Sequence, residues 1–432
     1  MKISVKNLGV LEHSEIDLSK KLNILCGTNN TGKTYMAYLV YGWNYLSNYS
    51  FNLFNRDLQV NYIASSNEFT INLLDSINFN KISGFLKTKL NEIFNQKGEI
   101  FHKTIIEIDN FQETLNNSKL LFDSIYFMGN SFSVFKVNDI LYIKIPENLS
   151  IDNGVMQHLA IQSIVNILSD NPLIFPAERA AVNIFSKELS IKRNDLVDEL
   201  LSVKNVKNRD KLLEERATRY PLPIRKSLEI AEDLARLSQK KSKYEYLAEE
   251  IEKKILKGKI KVNKYGEIQY SPSGTKNVNL PMHVSASMVK SLSSIVFYFR
   301  HLAQAGDLII IDEPELNLHP DMQRAVARLL ARFVNEGFKV LISTHSDYII
   351  KELNLLIMLN NPDKPEAKEL QKKYDYQDNE LLKPEEIGVY LFKDRHSEVV
   401  PVSQEGFEIE TIDKEINELN HAFKNIYFSL YD

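Results

Sequence analysis

The stretch Leu22-Asn-Ile-Leu-Cys26-Gly27-Thr-Asn-Asn-Thr31-Gly32-Lys33-Thr34 decides how this chain folds. It is an apolar run, then a turn bounded by glycines, then the helical pattern of 34–45. The spacing G-x-x-x-x-G-K-[ST] makes a phosphate-binding loop when it follows a strand and opens a helix. In such a loop backbone N–H groups and a helix N-terminus point at the phosphates, so glycine is needed wherever a Cβ would block close approach. Gly27, Asn29, Asn30, Thr31, Gly32, Lys33, Thr34 and Tyr35 are therefore the expected nucleotide contacts. Lys33 would reach the β- and γ-phosphates, and the Thr34 hydroxyl would ligate Mg²⁺.

Far along the chain, Leu308-Ile-Ile-Ile-Asp312-Glu313-Pro314 is a buried-strand pattern that ends in two carboxylates. A strand of this kind can simply cap a sheet edge. Paired with the phosphate loop, it points to ATP chemistry: Asp312 holds Mg²⁺ through water, and Glu313 orients or deprotonates the water that attacks the γ-phosphate. ATP and Mg²⁺ are the cofactors these two motifs call for.

The 432 residues leave room for one large core with insertions, or for two domains. A net charge of −4 means that any nucleic-acid contact needs a local basic patch. The single cysteine, Cys26, excludes a disulfide framework and reads as core packing. No signal peptide and no run of eighteen apolar residues is visible, which predicts a cytoplasmic location without a membrane partner.

The organisation reads as four parts. Residues 1–184 form an N-terminal lobe, with strands over 2–6, 14–18 and 22–26 and an insertion over about 46–170. From Thr34 to about Leu120 the chain is expected to be mostly helical, and a hairpin is expected around Asn138-Asp139. Residues 185–257, rich in Lys, Glu, Arg and Leu, look like a helical arm interrupted by Pro221 and Pro223. Residues 258–360 hold a hairpin over 258–282, a helix over 285–304, the carboxylate strand, a helix over 322–335 and a strand over 338–343. Residues 361–432 form an α+β extension closing with a helix over 412–423. Strands alternating with helices give an α/β core with its site at the carboxyl ends of the strands.

After Glu313 comes Pro314-Glu315-Leu316-Asn317-Leu318-His319-Pro320, and a strand later Ser343-Thr344-His345-Ser346. This combination resembles the ABC-type ATPases of the SMC, RecF and OLD group, which implies a P-loop NTPase fold with an N-terminal β lobe, helical insertions and a helical arm. By that resemblance His345 is a switch histidine that contacts the γ-phosphate; the bland alternative is a satisfied histidine at a strand end. The resemblance also implies a composite site, one protomer's phosphate loop completed by a signature helix of the other. The candidate is Val284-Ser285-Ala286-Ser287-Met288, where Ser285 and Ser287 would act in trans. Both glycines of the usual Leu-Ser-Gly-Gly-Gln pattern are replaced, and Ser285 could instead be an N-cap.

Lys6-Asn7-Leu8-Gly9, the phosphate loop through Tyr35, and Phe175-Pro-Ala-Glu178-Arg179 together resemble bacterial proteins known broadly as "AAA family ATPase". Asn7 is accordingly a candidate nucleotide contact; Glu178 and Arg179, which follow a buried strand, could reach nucleotide or the partner, with a local salt bridge equally open. The group includes stand-alone ATPase subunits of antiphage systems such as PARIS and Septu. The resemblance implies a homodimer or higher homo-oligomer, an effector protein (nuclease or toxin) in trans, and a DNA or phage-protein trigger. The alternative is a RecF- or SMC-like ATPase of DNA repair or chromosome maintenance that clamps DNA, using arm lysines such as Lys240, Lys241 and Lys243. The tail offers only Asp375 and Asp378 in a polar loop, so no fused nuclease is expected.

Overall fold

The alternation of apolar residues along the chain is resolved into three sheets in the computed structural model, which describes residues 1–47, 58–96, 99–109, 123–186, 220–276 and 278–431. Strands are numbered in chain order. The N-terminal region supplies β1 (Lys2–Leu8), β2 (Leu11–Asp17) and β3 (Leu22–Gly27). The insertion supplies β4 (Asn61–Ile63), β5 (Glu68–Asn72), β6 (Ile105–Asp109), β7 (Asp123–Phe127), β8 (Asn130–Val137) and β9 (Ile140–Lys144). Then follow β10 (Pro172–Phe175), β11 (Gly258–Val262), β12 (Ile268–Pro272) and β13 (Leu280–Pro281). The last are β14 (Leu308–Asp312), β15 (Lys339–Thr344), β16 (Ile387–Lys393) and β17 (His396–Val400).

The main sheet has nine strands in the order β10-β14-β15-β3-β16-β17-β2-β1-β6. Its first five strands run parallel and the β1–β2 and β1–β6 pairs antiparallel. Every residue of β3 and β14 is buried, which is why both read as unbroken apolar runs: a parallel sheet is covered on both faces. Side chains alternate between those faces. Leu308 and Ile310 join the core built on the helix Lys33–Ser47, while Ile309 and Ile311 join a second core with the helices Ser287–His301 and Pro320–Asn335.

Register brings the motifs level. Asp312 pairs with Ser343, Ser343 with Leu25, and Thr344 with Cys26. The phosphate loop, the two carboxylates and the histidine turn therefore leave the sheet along one edge, the carboxyl ends of its central strands.

Three stretches differ from the sequence reading. Among the described residues of 34–120, helices Leu73–Ser76 and Phe79–Phe94 alternate with strands the sequence does not announce: β4 and β5 start a five-stranded sheet in the order β4-β5-β9-β8-β7, and β6 extends the main sheet, while 110–122 lie outside the described residues. Buried Phe69 and Ile71, and Ile106 and Ile108, carry the period of two behind this. The helix Phe79–Phe94 of the insertion packs on the phosphate-loop helix so closely that a Cβ at Gly42 would lie 2.4 Å from Ile93. Of the expected arm, 187–219 lies outside the described residues. The helices Leu222–Glu232 and Glu245–Ile251 pack on the cores, with Leu222, Leu247, Ala248 and Ile251 buried and Tyr244 meeting the Phe338 ring at 4.6 Å. The last helix is longer than expected, Glu410–Tyr431. Among the described residues no helix is long and apolar enough to cross a membrane.

Candidate nucleotide site

The loop between β3 and the helix Lys33–Ser47 has the backbone the sequence calls for. Gly27 sits at φ +127°, and a Cβ there would lie 2.1 Å from the Phe392 carbonyl oxygen on β16. Gly32 sits at φ +99° under Leu11. Asn30 adopts φ 60°, a conformation asparagine tolerates better than most residues. The Lys33 Nζ donates to the carbonyls of Gly27 at 2.9 Å and Thr28 at 2.7 Å, so the ammonium is held at the loop's mouth. Burial lowers its pKa, and the carboxylates of Asp312 and Glu313 oppose that shift.

Thr34 and Asp312, far apart in sequence, meet here: the Thr34 hydroxyl donates to Asp312 Oδ2 at 3.1 Å. The Ser343 hydroxyl donates to the other oxygen, Asp312 Oδ1. A threonine hydroxyl beside an aspartate is a hard-oxygen pair of the kind Mg²⁺ takes together with phosphate and water. The donor set thus fits the expected metal ligands.

Glu313 is held in an uncommon conformation, φ 51°. Its N–H donates to the Ser343 carbonyl at 3.0 Å, and its own carbonyl accepts from Arg179 Nη2 at 2.8 Å. The N–H and C=O of Glu313 are both clamped by neighbours, which is what lets a positive φ persist at a residue other than glycine.

Arg179 supplies half of that clamp. Only 2% exposed, it donates to the carbonyls of Asp312 (2.7 Å), Glu313 (2.8 Å), Ser291 (3.2 Å) and Pro176 (3.2 Å). Burial pushes its pKa down to about 10 against the pull of nearby carboxylates, which leaves it charged at neutral pH. The sequence leaves Arg179 open to nucleotide, to a partner or to a local salt bridge. Here it lies under the carboxylate strand and binds backbone carbonyls, because the β10 end turns it inward while Glu178 stays exposed. Glu178 is near enough to help raise the Tyr38 pKa, after burial itself.

Glu315 escaped the sequence reading as a site residue. Its buried Oε1 accepts from the Thr344 hydroxyl at 2.8 Å and the His345 N–H at 2.9 Å, and His345 Nδ1 lies 3.4 Å away. It fixes the turn on which half-exposed His345 stands. The available signal was its place two residues after Glu313, beside a proline that ends the strand. On the same turn the Ser346 hydroxyl donates to Gln323 Oε1, whose amide donates to the Leu318 carbonyl, tying the histidine turn to the loop after Glu315.

The remaining candidates are spread around this centre. Tyr35 packs under Gly9, where a Cβ would lie 2.2 Å from its ring, and stacks on Phe94 at 5.1 Å. Asn7, at φ 56°, stands at the β1–β2 turn, and its carbonyl accepts from the Thr104 hydroxyl at 2.6 Å. Asn29 and Thr31 belong to the loop's outer arc, where the Thr31 hydroxyl donates to the Thr28 carbonyl. Ser285 is not an N-cap: the helix begins at Ser287 with Ala286 as its cap residue, and the buried Ser285 hydroxyl donates to the Pro281 carbonyl at 3.0 Å. Ser287 is exposed on the first turn.

Residues 1–350 match the AAA ATPase domain family. The chain belongs to that family. Family membership implies nucleotide binding. A search of curated proteins finds no match. Among solved structures, an SMC head bound to the C-winged helix domain of ScpA is similar at 13% identity and TM-score 0.36, covering 92% of this chain and 96% of that one. An Smc head domain with an extended coiled coil, bound to the C-terminal domain of ScpA derived from Pyrococcus furiosus, aligns at 14% identity and TM-score 0.33, covering 97% and 98%. The SMC head domain from Thermotoga maritima aligns at 8% and 0.31, covering 93% and 98%. With TM-scores this low, the fold assignment rests on the family match and the sheet order.

Proposed function

We propose that this AAA ATPase family member hydrolyses ATP at the Lys33, Thr34, Asp312 and Glu313 site, and that it self-associates to complete that site. The observation that carries the reading is the pairing of the Thr34 hydroxyl with Asp312 one residue before the clamped Glu313. Bound Mg²⁺ would supply charge neutralisation on the phosphates, with Thr34 and Asp312 as its protein ligands. Lys33 binds the phosphates, Glu313 orients and accepts a proton from the attacking water, and His345, held by Glu315, stands where it can sense the γ-phosphate. Ser287, exposed at a helix start with no side-chain cap, is the better of the two serines to meet a partner's nucleotide.

At the level of biology, the chain acts as the sensor and regulatory subunit of an antiphage defence system, controlling a nuclease or toxin effector in trans. What supports this is the resemblance of its loop and 175–179 motifs to stand-alone defence ATPases. The test uses Lys33→Ala and Glu313→Gln. Lys33→Ala should lose nucleotide binding, whereas Glu313→Gln should bind ATP, stop turning over and accumulate as an ATP-dependent dimer. A normal ATPase rate in Glu313→Gln would refute the site. An effector retained on the Glu313→Gln protein from its native operon supports the regulatory role; duplex DNA in its place, with DNA-stimulated and salt-sensitive hydrolysis, supports the DNA clamp.

A further inference from the structure

The helix Glu410–Tyr431 leaves the main body and carries a row of large apolar side chains in solvent. Leu419 is 71% exposed, Phe423 68%, Ile426 60% and Leu430 69%. With Ile412 and Ile416 these residues are spaced 4, 3, 4, 3 and 4 apart, the heptad seam of a coiled coil, sustained over the helix's length of about 33 Å. Ile412 rests against the second core, so the seam starts on the body and runs outward. A face of this kind is stable in water only when covered.

The seam is also its own complement. Laid antiparallel on a second copy, Ile412 meets Leu430, Ile416 meets Ile426 and Leu419 meets Phe423, every layer matched and none slipped. Charge favours the same arrangement. Residues 410–420 carry Glu410, Asp413, Glu415 and Glu418 against Lys414, while 421–431 carry Lys424 and no acid. Antiparallel pairing sets each acidic half beside an acid-free half, and it opposes the helix dipoles. Parallel pairing would crowd eight carboxylates at one end. The helix's excess of acids over lysines also disfavours an anionic lipid surface.

We propose that Glu410–Tyr431 is a homotypic docking element, which pairs two copies of this chain as an antiparallel two-helix coiled coil. Pairing here needs no nucleotide and does not rest on the ATPase reading. It would hold two nucleotide sites at high mutual concentration before ATP arrives.

The test is sedimentation velocity of the full chain without nucleotide, in the wild type and in the Lys33→Ala background. Both should sediment as dimers. The double variant Leu419→Glu/Ile426→Glu should be monomeric with an unchanged melting transition for the body, and Asn417→Ala, off the seam, should remain dimeric. Register is read by oxidation: a mixture of Leu419→Cys and Phe423→Cys chains should form a mixed disulfide, while neither alone should. Buried Cys26 stays out of that reaction. A monomeric wild type, a Phe423→Cys chain that crosslinks to itself, or capture by anionic vesicles without dimerisation would each overturn the proposal. Because Lys33→Ala removes ATP binding and leaves the helix alone, failure of the docking element is separable from failure of the nucleotide site.

Discussion

Replacing Arg179 by methionine isolates what this side chain does. The thioether chain fills much of the same space but removes the guanidinium's bonds to the carbonyls of Asp312, Glu313, Ser291 and Pro176; the Glu313 and Pro176 carbonyls keep backbone donors, the N–H groups of Leu316 and of residue 179 itself. An unsatisfied buried polar group costs about 1–3 kcal/mol, although relaxation and water recover part of that. A net loss of about 1–3 kcal/mol follows, a sizeable share of the roughly 5–15 kcal/mol that holds a typical domain together. Arg179→Lys keeps the charge but offers a compact ammonium in place of a planar fork, so it should recover about half of the loss. Denaturant midpoints measure this. In parallel, ATP affinity should stay within about threefold, because Lys33 is untouched, while turnover falls by about a hundredfold, the usual cost of displacing a catalytic group by an ångström. Unchanged stability and turnover would refute the clamp. Weakened ATP affinity at full stability would restore Arg179 as a nucleotide contact.

Glu313→Gly should gain up to about 1 kcal/mol of stability, since glycine adopts φ 51° without strain, and should lose turnover; thermal melting together with a phosphate-release assay checks both. Cys26 is fully buried, with its thiol pKa pushed up to about 12 by desolvation, so at pH 8 only about one thiol in ten thousand is ionised. It should resist thiol reagents in the native protein, react on unfolding, and react more slowly still once nucleotide fills the adjoining loop; fast labelling of the folded chain would contradict the β3 packing.

The core of the fold was legible because its signals are local: an apolar run, a glycine turn and a helix start within thirteen residues, and four aliphatics ending in two acids. What sequence hid is long-range. Arg179 sits beside Glu178 in sequence and looks like half of a charged surface pair, yet three of its four partners lie 112, 133 and 134 residues away. Glu315 reads as part of a motif, and only the turn after β15, which carries Thr344 and His345, gives it a task. Ser285 precedes a helical pattern and so reads as a cap, but the helix starts two residues later and a 3₁₀ turn at Met282–Val284 draws its hydroxyl back to Pro281. The second half of the expected arm has the composition of a solvated helix, and its few buried positions, such as Leu247 and Ile251, became visible only against Tyr298 and Phe338 in the core they share.

The ladder Asp312, Ser343, Leu25 carries a wider consequence. The groups proposed to touch a protomer's own phosphate or metal, Lys33, Thr34, Asp312, Glu313 and His345, follow three neighbouring strands, whereas the insertion and the described part of the supposed arm lie in excursions that leave this ladder and return to it. Such a division lets mutation redecorate the exposed parts of the excursions while the packed faces that touch the phosphate-loop helix and the shared core stay as they are. Recognition of partners and turnover of ATP can therefore change at independent rates within one chain, and a lineage could exchange what it responds to while keeping the same engine.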